Sequence, residues 1–272
     1  FKTYEKLKTD QRFLKKYGPF VKFTQIEIKK GKDYLEKNFI KSNDNIILFG
    51  SRTPIYGNEK YISIRNSSIK TQIKSMEYVA NNNFKAIRMG RDKIYRLNIN
   101  SKKIFDYTFS ESQSDFLDIF IASRAKFMVA GVTGLNELAT VMRVPKLVVD
   151  FANFNIINNW NEDYTPILLP KKVFSKSLNR HLSYREIFEK KLLDIATVDQ
   201  LPKDCQLIDN SEDEILDATK EMIDLIIHHN LNLNYEYKKQ IFFWKLFSKF
   251  YPENLKIFLN PNFFKNNNDL FI

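Results

Sequence analysis

The sequence has almost no cysteine. Cys205 is the one thiol in 272 residues, so no disulfide can close within the chain and no cysteine-built metal site can form. A reducing compartment suits such a chain. The expected location is the cytoplasm, with a peripheral place at the inner face of the membrane as the variant. No apolar run reaches the roughly 18–20 residues that cross a bilayer. Phe1 to Lys16 mix charge and aromatics and lack an apolar signal core. Histidine is scarce too, at three residues. His228 and His229 are adjacent, so on a helix they point about 100° apart and cannot share an ion, and His181 reads as loop. There is no H-x-x-x-H spacing, no Asp-x-Asp of a sugar-nucleotide enzyme that needs a divalent ion, and no G-x-S-x-G elbow. No metal and no cofactor are expected, and acyl hydrolysis has no motif to rest on.

What the chain does have is apolar bulk and positive charge. Hydrophobic residues make up 43%, enough for a sizeable core. Lys and Arg number 43 against 32 Asp and Glu, a formal net charge of +11. That excess suits phosphates, nucleic acid or an anionic membrane surface; solvated lysines in a Lys- and Asn-rich composition account for it equally. No arginine–aromatic cluster of a known nucleic-acid module is present, so no specific nucleic acid is expected.

Short apolar runs alternate with helical periodicity through the first half. Ile46 to Phe49, Lys85 to Met89, Ile104 to Tyr107, Lys126 to Ala130 and Lys146 to Val149 read as strands. Lys32 to Ile40, Ile69 to Asn81, Asp115 to Ser123 and Leu135 to Met142 read as helices, with Ser67 or Ser68 and Ser114 as caps. The alternation argues for βαβ units, an α/β class with a Rossmann-like parallel sheet and flanking helices. Beyond Asp150 the pattern loosens. Asn153 to Thr165 reads as loop. Ser183 with Glu186 and Ser211 with Glu214 are capping boxes, opening helices to Leu193 and to about His228. The last helix, Tyr235 to Phe250, begins a helical C-terminal extension. Tyr237, Phe242, Phe243, Trp244, Phe247, Phe250 and Tyr251 are too many aromatics for one narrow face, so some should be exposed unless a partner covers them. That helix is expected across the sheet's edge, reaching toward a missing domain; peripheral membrane contact is the alternative. The chain divides into 1–44, a helical or linker segment joined to an absent N-terminal half; 45–230, the α/β domain; and 231–272, the extension.

Ligands of an open parallel sheet sit beyond the carboxyl ends of its strands. Gly131-Val132-Thr133-Gly134 lies between a strand and a helix; its glycines admit close backbone approach, the helix start offers N–H groups, and Thr133 adds a hydroxyl. It is neither a Walker loop nor a full dinucleotide fingerprint, and such turns are also plain structural punctuation. Arg52 and Arg88 end strands, where a guanidinium can hold phosphate bidentately. Arg88 has a second reading, a buried ion pair with Asp106 or Asp118. Arg65 is a loop candidate, or simply solvated. Glu137 can take a ribose hydroxyl pair, or it merely favours a helix N-terminus.

These segments resemble a group of bacterial glycosyltransferases from surface-polysaccharide gene clusters. The matching stretches are Ser51-Arg52 with Tyr56, Arg65-Asn66-Ser67 with Ile69, Ile87 to Gly90, Asp106-Tyr107, Ser114 to Ile119, and Gly131 to Gly134 with Pro145. Leu182 to Ile187, Asn210 to Met222 and Pro261 to Leu270 follow. The family is similar to the nucleotide-sugar-binding half of GT-B enzymes, including O-fucosyltransferase relatives. The resemblance implies a metal-independent glycosyltransferase with a nucleotide diphosphate sugar donor and a glycan or lipid-linked glycan acceptor. It implies that Arg52 and Arg88 face the diphosphate and that Thr133-Gly134 holds it; with the residue-based candidates Arg65, Gly90, Gly131 and Glu137 these make up the expected donor site. Two positions depart from the family: Gly50 stands where it often has His, and Val132 where it often has Ser or Asn. A non-catalytic basic module for anionic glycan or nucleic acid is the competing expectation.

Overall fold

A computed structural model describes residues 18–54, 62–154, 167–228, 237–250 and 258–271 of the chain. Tyr56, His229, Tyr251, most of the 153–165 loop and the stretch before Lys16 lie outside them.

Seven parallel strands form the main sheet: β1 (Ile46–Gly50), β2 (Lys85–Arg88), β3 (Ile104–Asp106), β4 (Ala125–Ala130), β5 (Lys146–Phe151), β6 (Ile167–Pro170) and β10 (Phe258–Leu259). β1 shows why the sheet reads as continuous apolar runs. Ile46 and Leu48 enter one cluster with Leu35, Leu117, Ile121 and Met128. Ile47 and Phe49 enter the other with Met76, Val79, Phe127, Val129 and Met222. Both faces are covered, so no position in the strand is left for a polar side chain. On one side lie α1 (Gln25–Lys37), α3 (Asp115–Ser123) and α4 (Gly134–Val141); on the other lie α2 (Ile73–Asn81) and α6 (Glu212–Ile226).

The strand order is β10-β6-β5-β4-β1-β2-β3. The chain starts centrally at β1, builds outward to β3, then returns to β4 on the other flank of β1. Read from the β3 edge, the order 3-2-1-4-5-6 is that of doubly wound nucleotide-binding sheets, continued here by β10. The reversal leaves a crevice between the loops that follow β1 and β4.

The early elements lie close to the sequence expectations, and the caps are the expected hydroxyls. Ser114 accepts from the Leu117 N–H. Ser183 with Glu186 and Ser211 with Glu214 form closed capping boxes at α5 (Tyr184–Glu189) and α6. α1 begins at Gln25, earlier than expected, because Thr24 and Glu27 form a further box. Beyond Asp150 the sequence reading missed five strands: β6, β10, and an antiparallel sheet of β7 (Lys172–Ser175), β8 (Arg180–His181) and β9 (Cys205–Ile208). Lys171 and Lys172 look like a solvated loop in sequence. Both are buried instead, with ammonium groups 2.6 Å from Asp209 and 2.8 Å from Glu214.

The aromatic helix α7 (Tyr237–Phe250) also differs from expectation. Phe243 and Phe247 are buried, and Phe242, Trp244 and Phe250 are half-buried. Phe154, Tyr184, Phe188 and Phe271 supply the partner rings, with centroids 5.6–6.3 Å from those of Phe243, Phe247 and Phe250. Among the described residues, the chain itself covers the aromatic surplus. No described helix is long and apolar enough to cross a membrane.

Gly31 sets how closely α1 approaches α3, since a Cβ there would overlap the Phe120 ring. Alanine favours a helix by about 1 kcal/mol over glycine, but forcing a methyl into packed space costs about 1–3 kcal/mol. Gly31→Ala should lower stability in urea unfolding, and Phe120→Leu in the same chain should recover part of the loss.

Candidate functional site

Three loops leave the carboxyl edge of the sheet around the β1–β4 crevice. β1 runs into Ser51-Arg52-Thr53, β2 into Met89-Gly90-Arg91-Asp92, and β4 turns through Gly131-Val132-Thr133 into α4. Together with Asp118 of α3 they enclose a cleft of about 550 Å³, lined by Ser51, Arg52, Thr53, Gly90, Arg91, Asp92, Asp118, Thr133, Gly134 and Leu135.

Hydrogen bonds fix the loops to one another. The Ser67 N–H donates to the Arg52 carbonyl at 2.8 Å, and the Gln72 amide donates to the Gly50 carbonyl at 2.9 Å. Asn136 donates to the Gly131 carbonyl at 2.8 Å. A Cβ at Gly131 would stand 2.5 Å from Ser67 Oγ, so this glycine serves close packing of two loops. Gly90 has φ +128°, a conformation that side chains oppose. Gly134 is exposed, and a Cβ built there meets nothing within 4 Å. The first turn of α4 therefore opens onto free space with N–H groups that have no helical acceptor. Thr133 is the N-cap: its hydroxyl accepts from the Leu135 N–H at 3.2 Å and keeps its own hydrogen to donate.

The cleft's charge is mixed. Arg91 has a 59% exposed side chain and pairs with Asp115 and, at 3.1 Å, with Asp118. Asp92 is buried; one carboxylate oxygen accepts from Arg88 at 2.8 Å and the other from the Thr53 hydroxyl at 2.7 Å. The β1 and β2 loops are tied together through this one carboxylate.

Arg52, Gly90, Thr133 and Gly134, among the residues singled out in sequence, line the cleft; Arg65, Arg88, Gly131 and Glu137 do not. Arg88 is the main correction. It is 1% exposed, and its guanidinium donates to the Asp92 carboxylate, the Asp92 carbonyl at 3.2 Å, Asp106 at 3.3 Å and the Tyr95 carbonyl. A guanidinium enclosed by four such acceptors has no face to offer a diphosphate. Asp118, named beside Asp106 as its possible partner, pairs with Arg91 instead. Arg65 is half-buried and bonds through its backbone to Ser63. Glu137 is exposed on the first turn of α4. The sequence reading missed Arg91, Asp92 and Asp118. The first two directly follow Gly90 in a loop without a motif of its own, and the sequence offers Asp118 as a partner for Arg88 and not as part of a cleft.

A second polar cluster caps β5. Asp150, with φ 51°, exchanges 2.6 Å bonds with Asn210: each backbone N–H donates to the other's side chain. Lys171 bridges the Asn66 carbonyl and Asp209, both at 2.6 Å. Burial pushes the Asp150 carboxyl up to about 7; the Asp209 charge adds to this and Lys171 opposes it. Among the described residues, no three His, Cys, Asp or Glu stand close enough to hold a metal ion.

Removing Arg88 strands Asp92 and Asp106. Arg88→Ala should cost about 3–5 kcal/mol in urea unfolding, and Arg88→Lys should also lose stability because the planar fork is gone. An unchanged unfolding midpoint would overturn the structural role. The folded chain keeps a proton on Asp150 that the unfolded chain releases at its ordinary value of 3.8. The Asp150 contribution to stability is therefore greatest at low pH, declines as pH rises from about 4 to about 7, and is flat above. Asp150→Asn should make that decline shallower, read as unfolding midpoint against pH.

No protein-family model and no curated protein sequence matches the chain. Solved structures overlap with it in part. The heptosyltransferase TibC, iron-containing and dodecameric, in complex with ADP-D-beta-D-heptose, matches 46% of this chain and 30% of its own at 15% identity and TM-score 0.33. TibC from enterotoxigenic E. coli matches 45% and 30% at 14% identity and TM-score 0.32. The E. coli ADP-heptose LPS heptosyltransferase II matches 54% and 41% at 11% identity and TM-score 0.38. The matched part is under half the length of each of these proteins.

Proposed function

We propose that the cleft holds the diphosphate of a nucleotide-sugar donor, and that the chain is the donor half of a GT-B-like glycosyltransferase of bacterial surface-polysaccharide synthesis. The observation that carries this reading is the convergence of Arg52, Arg91 and the open first turn of α4 on one cleft at the strand-order reversal. Each group suits a diphosphate for its own reason. A guanidinium stays charged and bonds bidentately. A helix start presents N–H groups at the positive end of its dipole. The Thr133 hydroxyl has its hydrogen left to give.

In glycosyl transfer the leaving group is a nucleoside diphosphate, whose negative charge grows as the sugar departs. Fixed donors aimed at that charge lower the barrier without reorganising. Arg52 and the α4 turn are held by the loop bonds described above. Arg91 is held by Asp115 and Asp118; an incoming diphosphate takes over from these carboxylates as its partner. Arg88 acts one step back, by fixing Asp92 and through it Thr53. The reading assigns no contact to Arg65 or Glu137 and names no catalytic base. The acceptor in this reading is a glycan or lipid-linked glycan, met on the cytoplasmic side.

Isothermal titration of the full chain with GDP, UDP, ADP and CDP tests the proposal. One of them should bind. Arg52→Ala and Arg91→Ala should each weaken that binding by about ten- to a hundredfold, as expected for loss of a charge-assisted contact. Arg91→Ala should leave the melting temperature nearly unchanged, because exposed ion pairs contribute about 0–1 kcal/mol. No binding by any of the four at millimolar concentration sinks the donor site. Salt-sensitive binding of a random oligonucleotide, with no nucleotide preference, would favour the basic-module reading instead.

A further inference from the structure

The opposite edge of the sheet, where the strands begin, carries a feature that the cleft does not explain. α1 ends at Lys37 with Asn38 as its C-cap. The Phe39 N–H donates to the Glu36 carbonyl at 3.0 Å and the Ile40 N–H to the Leu35 carbonyl at 2.9 Å. This closure turns the residue after the cap left-handed, and glycine usually takes the place because it has no Cβ to clash. Here the residue is Phe39, with φ 62°. A bulky side chain in that region is strained. Burial within the chain does not offset the strain, since Phe39 is 60% exposed. Its surroundings hold it there: the Lys85 ammonium donates to the Phe39 carbonyl at 2.6 Å, and the Lys102 ammonium lies 5.0 Å from the ring centroid.

The ring stands among cations. Lys41, Lys85, Lys102 and Lys103 share one surface hollow with Phe39, against one acid in its lining, Glu36, and with Lys85 paired to Asp44 at 3.8 Å. Lys41 and Lys102 are exposed, and Lys103 is half-buried. At the start of β5 the pattern recurs: Phe20 is 62% exposed and the Arg143 guanidinium lies 5.9 Å from its ring. An exposed aromatic ringed by lysines suits a layer that is apolar within and anionic at its face.

We propose that this edge docks on an anionic lipid surface, with the Phe39 ring entering the headgroup layer and Lys41, Lys102 and Lys103 meeting lipid phosphates. The net charge of +11 adds long-range attraction to such a surface. The proposal stands on this surface alone. Docking by the amino edge leaves the carboxyl-edge cleft facing away from the bilayer, so nucleotide titration in solution tests the donor reading separately.

The test is co-sedimentation of the full chain with phosphatidylcholine vesicles, with and without about 30% phosphatidylglycerol. The wild-type chain should sediment with the anionic vesicles only. Phe39→Gly suits the left-handed position, so its melting temperature should hold or rise, while its partition onto anionic vesicles falls by about tenfold through loss of one buried ring. Lys102→Glu with Lys103→Glu should also lower partition by about tenfold or more. Equal partition of wild type and Phe39→Gly overturns the proposal. So does sedimentation that ignores phosphatidylglycerol, or binding to a soluble polyanion in the absence of any vesicle binding.

Discussion

β1 pairs with β2 on one side and β4 on the other, and the rest of the molecule is arranged around that double pairing. A parallel strand with a neighbour on each flank and helices on both faces has no solvent-facing position. All five of its residues are buried. It also forces the chain, having built outward to β3, to return across its own start. The crevice between the loops after β1 and β4 is the geometric remainder of that return. Any ligand of this sheet has its natural place there, whatever the ligand is.

Buried charge then ties the loops down. Arg88 with Asp92 and Asp106, Lys172 with Glu214, and Asp150 with Asn210 each hold a polar partner inside the fold, and one carboxyl oxygen of Asp106 and one of Asp150 accept no hydrogen bond. Charges removed from water destabilise a fold unless every donor and acceptor is met, and breaking one such set is worse than never having had it. Their effect here is registry more than net stability. Asp92 joins the β1 and β2 loops, Asn210 joins β5 to the approach of α6, and Lys171 joins the end of β6 to Asn66. Of these ties, the one through Asp92 bears directly on the cleft, because Asp92 and Thr53 are both part of its lining.

The two ends of the sheet divide the surface by chemistry. The carboxyl edge gathers loops with mixed charge, an open helix start and a left-handed glycine. The amino edge gathers lysines and exposed rings on short, tightly closed turns. Strand direction makes the division, because a parallel sheet places all strand starts together and all strand ends together. Side chains far apart in sequence, such as Phe39 and Lys102, or Arg52 and Thr133, become neighbours for that reason.

The central sheet was legible in the residues themselves. β1, β2, β4 and β5 announce themselves as apolar runs, and Ser114, Ser183 and Ser211 mark their helices, because burial on both faces and capping both act over a few consecutive residues. Gly131 to Gly134 could be placed at a strand-to-helix turn for the same reason. The strands after Asp150 could not be read, since Lys171 and Lys172 look solvated until Asp209 and Glu214 arrive from elsewhere in the fold. Arg88 marked the carboxyl edge, but its side chain was claimed by Asp92 and Asp106. Arg91, the next arginine along, was left to line the cleft. Local pattern determined which segments are strands and helices; only the tertiary structure decided which charges face each other, because an ion pair depends on distances that the chain sets by folding and not by spacing.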